Sequence, residues 1–171
     1  MRIKINDIAD IILKTLKIPV PIIDIETLVN ELRGQVIRKD NLQINADGKI
    51  RRNQNGFIIE IPYTENKCRE RFTIAHELGH LFLHMGYLID EELWNANEDA
   101  VYFRKDYGEM EYQAHEFAAA ILMPRNKFFS VMKESYIGNG IYNIEYVAKY
   151  FNVSVEAAVN RGRWLGILDW R

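Results

Sequence analysis

The segment His76-Glu77-Leu78-Gly79-His80 limits what this chain can fold into more than any other. Two histidines four apart on a helix lie on the same face, so both imidazoles can reach one cation. The neighbours supply the helix. Phe72, Ala75, Leu78, Gly79 and Phe82 recur at helical spacing and predict a helix from about Glu65 through His84. Glu77, beside the first histidine, is placed to take a proton from an activated water as general base. Imidazole nitrogens with a carboxylate oxygen suit zinc, held in a tetrahedral site with one position open.

Two histidines leave such a site one protein ligand short. Gly86 and Asp90 stand where a further downstream histidine ligand would be needed, so a carboxylate from a later helix is the natural candidate. Glu109 to Met123 reads as a helix, and Glu111, Ala114, His115 and Ala118 share one of its faces. Small alanines there allow close approach to the first helix, with Glu111 carried to the metal. Glu111 is preferred over Glu116, which lies well round the helix and is expected to be solvated or salt-bridged. His115, one turn from Glu111, could orient a ligand histidine, bind the metal, contact substrate or simply be hydrogen-bonded in its helix. For His84, one turn past His80, core or supporting placement is preferred over ligation. Tyr102, Tyr107 and Tyr112 are each candidates to stabilise an oxyanion, and equally at home as packing residues.

Around these segments the chain reads as ordinary folded protein. It has 171 residues, of which 48% are hydrophobic and 27% charged, enough to bury a core without disulfides. A net charge of -2 gives no global field for nucleic acid or anionic membrane. A single cysteine, Cys68, fits a reducing compartment, and with no secretory pattern at Met1 to Lys17 the expectation is cytoplasmic. The longest apolar stretches, such as Phe117 to Met123, are far short of a bilayer span.

Residues 3 to 17 and Asp24 to Leu32 read as amphipathic helices, separated by Pro19 and Pro21, with Gly34 just past the second. From Val36 to Pro62 the pattern turns to short strands. Asn45-Ala46-Asp47-Gly48 and Asn55-Gly56 are its turn signals, and antiparallel hairpins are expected. Residues 84 to 116 carry nine acidic and two basic side chains, and residues 125 to 171 seven basic and four acidic. Ile144 to Tyr150 and Ser154 to Leu165 read as two short helices.

Two stretches carry a family resemblance. Arg71-Phe72-Thr73-Ile74-Ala75-His76-Glu77-Leu78-Gly79-His80-Leu81-Phe82-Leu83-His84 and Glu111-Tyr112-Gln113-Ala114-His115-Glu116-Phe117-Ala118-Ala119-Ala120-Ile121-Leu122-Met123-Pro124 together resemble the ImmA/IrrE family of zinc metallopeptidases. Tyr146 to Ser154, with Arg161 and Leu165-Gly166, looks like that family's C-terminal helical segment. The resemblance implies an α+β fold with a thermolysin-like zincin core, helices and a small mostly antiparallel sheet, over residues 1–124. It implies a helical, helix-turn-helix-like segment over 125–171, packed on that core. It implies His76, His80 and Glu111 as zinc ligands and Glu77 as general base. The implied substrates are helix-turn-helix transcriptional repressors, cut to derepress mobile-element, phage or stress-response genes. His115 departs from the Asn or Asp usual at its position.

Two functions follow from these residues. The first is a zinc endopeptidase acting on a protein regulator, with the acidic segment at 90 to 111 steering a basic substrate. The second is a metal-binding regulatory or toxin-partner protein that acts by complex formation without proteolysis. Glu77 favours the enzyme, since a purely structural metal site needs no base beside its ligands. Lys149, Arg161 and Arg163 invite a DNA-contact reading, but their modest basic excess is expected to be a solvated face, and direct DNA binding is not expected.

Overall fold

A computed structural model of the chain describes residues 2–40, 48–54, 56–96, 101–103 and 108–170. Its elements run α1 (Arg2–Thr15), α2 (Ile25–Glu31), β1 (Gly34–Lys39), β2 (Lys49–Asn53), β3 (Gly56–Pro62), α3 (Lys67–Leu83), α4 (Glu91–Ala96), β4 (Val101–Phe103), α5 (Glu109–Leu122), α6 (Arg125–Glu134), β5 (Tyr136–Gly138), β6 (Ile141–Tyr142), α7 (Ile144–Phe151) and α8 (Val155–Trp164). The fold is α+β, as expected. None of the described helices is long and apolar enough to cross a membrane.

Two compact units emerge, residues 24–118 and residues 1–23 with 119–171. The first is built on a four-stranded sheet of order β1-β3-β2-β4. β2 and β3 form the antiparallel hairpin expected around Asn55-Gly56, and β4 adds antiparallel to β2. β1, however, lies parallel to β3, in register from Gly34 opposite Phe57 to Lys39 opposite Pro62. The turn expected at Asn45 to Gly48 lies, but for Gly48, outside the described residues.

β3 is the centre of this unit because its apolar run, Phe57 to Ile61, is buried on both faces, with β2 and α3 lying against it. Glu60 interrupts that run and is 4% exposed, yet Lys39, Lys49 and Arg51 all reach it, at 2.7, 2.9 and 3.3 Å. Arg38, on β1, holds Glu26 of α2 and Glu70 of α3 together, which fixes both helices against the sheet edge. Asp24 caps α2, accepting from the Glu26 N–H. Past α2 the left-handed residue is Arg33, with φ 60°, and Gly34 serves a different purpose from the expected helix stop. A Cβ at Gly34 would lie 2.3 Å from the Phe57 ring, so the strand can pair this closely only with glycine.

In the other unit, Pro124 both ends α5 and begins α6, its fixed φ of -56° suiting a helix start. Phe128 and Phe151 stack at 5.7 Å between α6 and α7. Asn152 closes α7 in the left-handed region and Ser154 caps α8. Arg161 overturns the solvated-face expectation. It is 1% exposed, donating to the Met123 carbonyl at 3.1 Å and to Asn6 Oδ1 at 2.6 Å. Arg163 lies against Trp170 and donates to the Asp169 carbonyl.

Two predictions follow from these buried charges. Arg161→Ala strands a buried carbonyl and amide and opens a cavity, and is expected to cost about 3 kcal/mol or more in urea unfolding. Arg163→Ala should cost less than about 1 kcal/mol; equal losses would contradict the structural role of Arg161. Burial alone would raise the Glu60 pKa, but its bonds to Lys39, Lys49 and Arg51 outweigh that and hold it at about 2, against 4.5 unperturbed. A carboxyl depressed by folding stabilises above its unfolded pKa, and that contribution drains away as pH falls from 4.5 toward 2. Glu60→Gln should therefore melt lower than wild type at pH 7, with the gap narrowing across that window.

Candidate metal centre

Asn66 caps α3 by accepting from the Arg69 N–H, and from Ile74 to Phe82 every residue of the helix is buried. A helix buried on all sides must satisfy its polar side chains internally. His76 and His80, 4% and 5% exposed, meet at 3.1 Å between their Nε2 atoms. Glu111 closes the triangle: its Oε2 lies 3.2 Å from His76 Nε2 and its Oε1 3.1 Å from His80 Nε2. Four tetrahedral bonds of about 2.0–2.1 Å would separate neighbouring donors by about 3.3–3.4 Å, so these spacings fit one cation of zinc's size. Among the described residues, His76, His80 and Glu111 are a group whose donor atoms could hold a metal ion. Burial first, and then His76, push the His80 pKa down to about 3, leaving its imidazole neutral at neutral pH, as a ligand must be.

The convergence depends on the close passage of α3 and α5. A Cβ at Gly79 would stand 2.9 Å from the Ala114 Cα and 3.0 Å from its carbonyl oxygen. The expected small face of α5 is present, with Ala114 and Ala118 fully buried, and Gly79 is the complementary gap on α3. Phe82 and Phe117 pack beside it at 5.7 Å.

Glu77 is 3% exposed, and its Oε2 has no hydrogen-bond partner among the described residues. Burial, and then the negative charge of Glu111, raise its pKa well above the ordinary carboxyl range. Gly48, at the entry to β2, passes directly over it: a Cβ there would come 2.6 Å from Glu77 Oε1. Sequence spacing gave Gly48 only a turn role; no local signal links it to a helix thirty residues on.

The other candidates sort themselves by position. His84 is buried, its Nδ1 2.9 Å from His80 Nδ1 and its Nε2 3.1 Å from Gln113 Oε1, which places it in the core behind His80. His115 pairs its Nδ1 with the Glu111 carbonyl at 3.0 Å, while its ring stands edge-on to His76 at 4.5 Å and tilts against Phe72 at 5.5 Å. Glu116 is 6% exposed, which overturns the solvated alternative for it and leaves the salt-bridged one. Tyr102 is on β4, opposite Ile50; Tyr112 is 41% exposed; Tyr107 lies outside the described residues. Residues 97–100 and 104–107 of the acidic segment at 90 to 111 lie outside them too.

Gly79→Ala should push the two helices apart. Overpacking of this kind costs about 1–3 kcal/mol, or about 2–10 °C in melting temperature at this chain length. Zinc affinity, measured by chelator competition, should fall at least about tenfold. Unchanged affinity would contradict helix proximity as the device that places Glu111.

The model for the IrrE N-terminal-like domain, a peptidase family, matches residues 31–162. No match emerges among curated protein sequences. Among solved structures, a Mycobacterium tuberculosis transcriptional regulator superimposes with a TM-score of 0.62 at 17% identity, over 94% of this chain and 46% of the regulator. That likeness concerns fold alone, and the chain spans under half the regulator's length. With the family model covering most of the chain, including α3 and α5, this protein belongs to the ImmA/IrrE family.

Proposed function

We propose that the chain is a zinc-dependent endopeptidase of the ImmA/IrrE type, with His76, His80 and Glu111 as metal ligands and Glu77 as general base. The observation that carries this reading is the meeting of three ligand atoms beside a buried carboxylate with an unused oxygen. When bound, zinc supplies Lewis-acid chemistry, polarising a carbonyl and acidifying water. Glu77 receives the proton as water attacks the scissile carbonyl and passes it to the leaving amine. Burial and Glu111 raise the Glu77 pKa in the absence of a cation, and a cation held beside it would favour the ionised form that accepts the proton. The neutral His80 presents a lone pair rather than a charge, and the buried walls around Ile74 to Phe82 limit competing water.

In this reading the core is thermolysin-like, and α7 and α8 form a helix-turn-helix-like pair joined through Asn152 to Ser154. The substrate is a helix-turn-helix transcriptional repressor, whose cleavage derepresses mobile-element, phage or stress genes. Family membership supports the peptidase, and the likeness to a transcriptional regulator is in keeping with a role in transcription. The test is metal content and cleavage of the repressor encoded beside the gene, for wild type and Glu77→Gln. Both proteins should hold one zinc, and the variant should lose at least about a thousandfold in cleavage rate. Retained cleavage by the variant removes Glu77 from the chemistry; zinc in both with cleavage by neither favours a binding protein.

A further inference from the structure

His80 is held from behind by a chain of hydrogen bonds that runs from the metal-facing side to the surface. Its Nδ1 meets His84 Nδ1 at 2.9 Å, His84 Nε2 meets Gln113 Oε1 at 3.1 Å, and Gln113 Nε2 donates to Glu109 Oε1 at 3.2 Å. His80 and His84 lie on α3, and Glu109 and Gln113 on α5. We propose that Glu109, Gln113 and His84 act as a positioning relay that fixes the tautomer and ring orientation of His80 for metal binding. This rests on the metal-site reading above and extends it to three residues that touch no ligand atom.

The direction of the relay follows from what each group can donate. An ionised carboxylate only accepts, so Glu109 takes a hydrogen from the Gln113 amide and settles which way that amide points. Gln113 Oε1 must then accept, and the only donor His84 can offer it is an Nε2–H. A neutral imidazole carries one N–H, so His84 Nδ1 is left as an acceptor, and His80 must supply Nδ1–H. That leaves His80 Nε2 with its lone pair, and Nε2 is the atom that faces Glu111 and His76. Reversing any one member would put a hydrogen on the metal-facing nitrogen or set two lone pairs against each other at 2.9 Å.

The two histidines are supported unequally. His76 Nδ1 is buried with no hydrogen-bond partner among the described residues, so no relay of this kind backs it. Orientation of the site accordingly falls on His80, and partners of this sort ordinarily set metal affinity by about 10–100-fold.

The test combines zinc affinity of the full chain, by chelator competition, with histidine tautomers from nitrogen-15 NMR. In metal-free and zinc-loaded wild type His84 should be the Nε2–H tautomer, and in zinc-loaded wild type His80 should be the Nδ1–H tautomer. His84→Phe should weaken zinc by about 10–100-fold, and His84→Asn, whose Oδ1 replaces the accepting Nδ1, should recover most of that loss. Gln113→Leu should weaken zinc and leave His84 a mixture of tautomers, while Gln113→Glu should restore the Nε2–H form. An Nδ1–H tautomer for His84 in wild type overturns the relay, and so does zinc affinity within twofold of wild type in His84→Phe. If wild type binds no zinc, the metal reading fails by itself, and the metal-free tautomer of His84 still decides the relay.

Discussion

The backbones of α3 and α5 pass so closely at Gly79 and Ala114 that a single methyl group would not fit between them. Everything at the candidate site hangs on that passage. It puts Glu111, one turn before Ala114 along α5, level with His76 and His80 on α3. It also brings Gln113 to His84, so the same contact that gathers His76, His80 and Glu111 assembles the bonds behind them. A glycine inside a helix costs roughly 1 kcal/mol in propensity against alanine. Here that cost is offset by the burial of both helices, and α3 is fixed further by Arg38 through Glu70 and by the buried face of β3.

Burial then sets the chemistry. The stretch of α3 that carries His76, Glu77 and His80 has no exposed side. Water cannot solvate a carboxylate there, which is why the Glu77 pKa is raised, and an imidazolium fares no better, which is why that of His80 falls to about 3. A positive ion among these groups reverses the balance for Glu77 by stabilising its charged form. Two features of the site suit a cation: three donor atoms lie close together, and one oxygen of a buried carboxyl has no hydrogen-bond partner among the described residues.

What the sequence made legible was whatever depends on spacing within one element. α1, α2, α3, α5, α7 and α8 all announce themselves by apolar residues three and four apart, and His76, His80 and Glu111 by helical face. Features that join elements were harder to read. The parallel pairing of β1 with β3 has no local signal, because it depends on which strand fills the place beside β3. Pro124 reads as a stop, yet the same fixed φ starts α6. Asn139 and Gly140 form a two-residue turn with φ 51° and 75° between β5 and β6, a signal present in the sequence beside strands too short to flag. Gly79, Gly48, Gln113 and Glu109 matter only through partners on other segments, so no window of sequence shows their roles. Arg161, read as surface charge, is buried for the same reason: its partners Met123 and Asn6 are far off in the chain.

The central claim is that two histidines of α3 and one carboxylate of α5 hold a single metal ion. X-ray absorption at the zinc edge, on the purified chain with its metal stoichiometry measured, addresses it most directly. One zinc per chain is expected, with two imidazole ligands and carboxylate oxygen at about 2.0–2.1 Å, and one imidazole lost in His76→Ala. A chain that takes up no zinc, or zinc whose shell contains no imidazole, would contradict it.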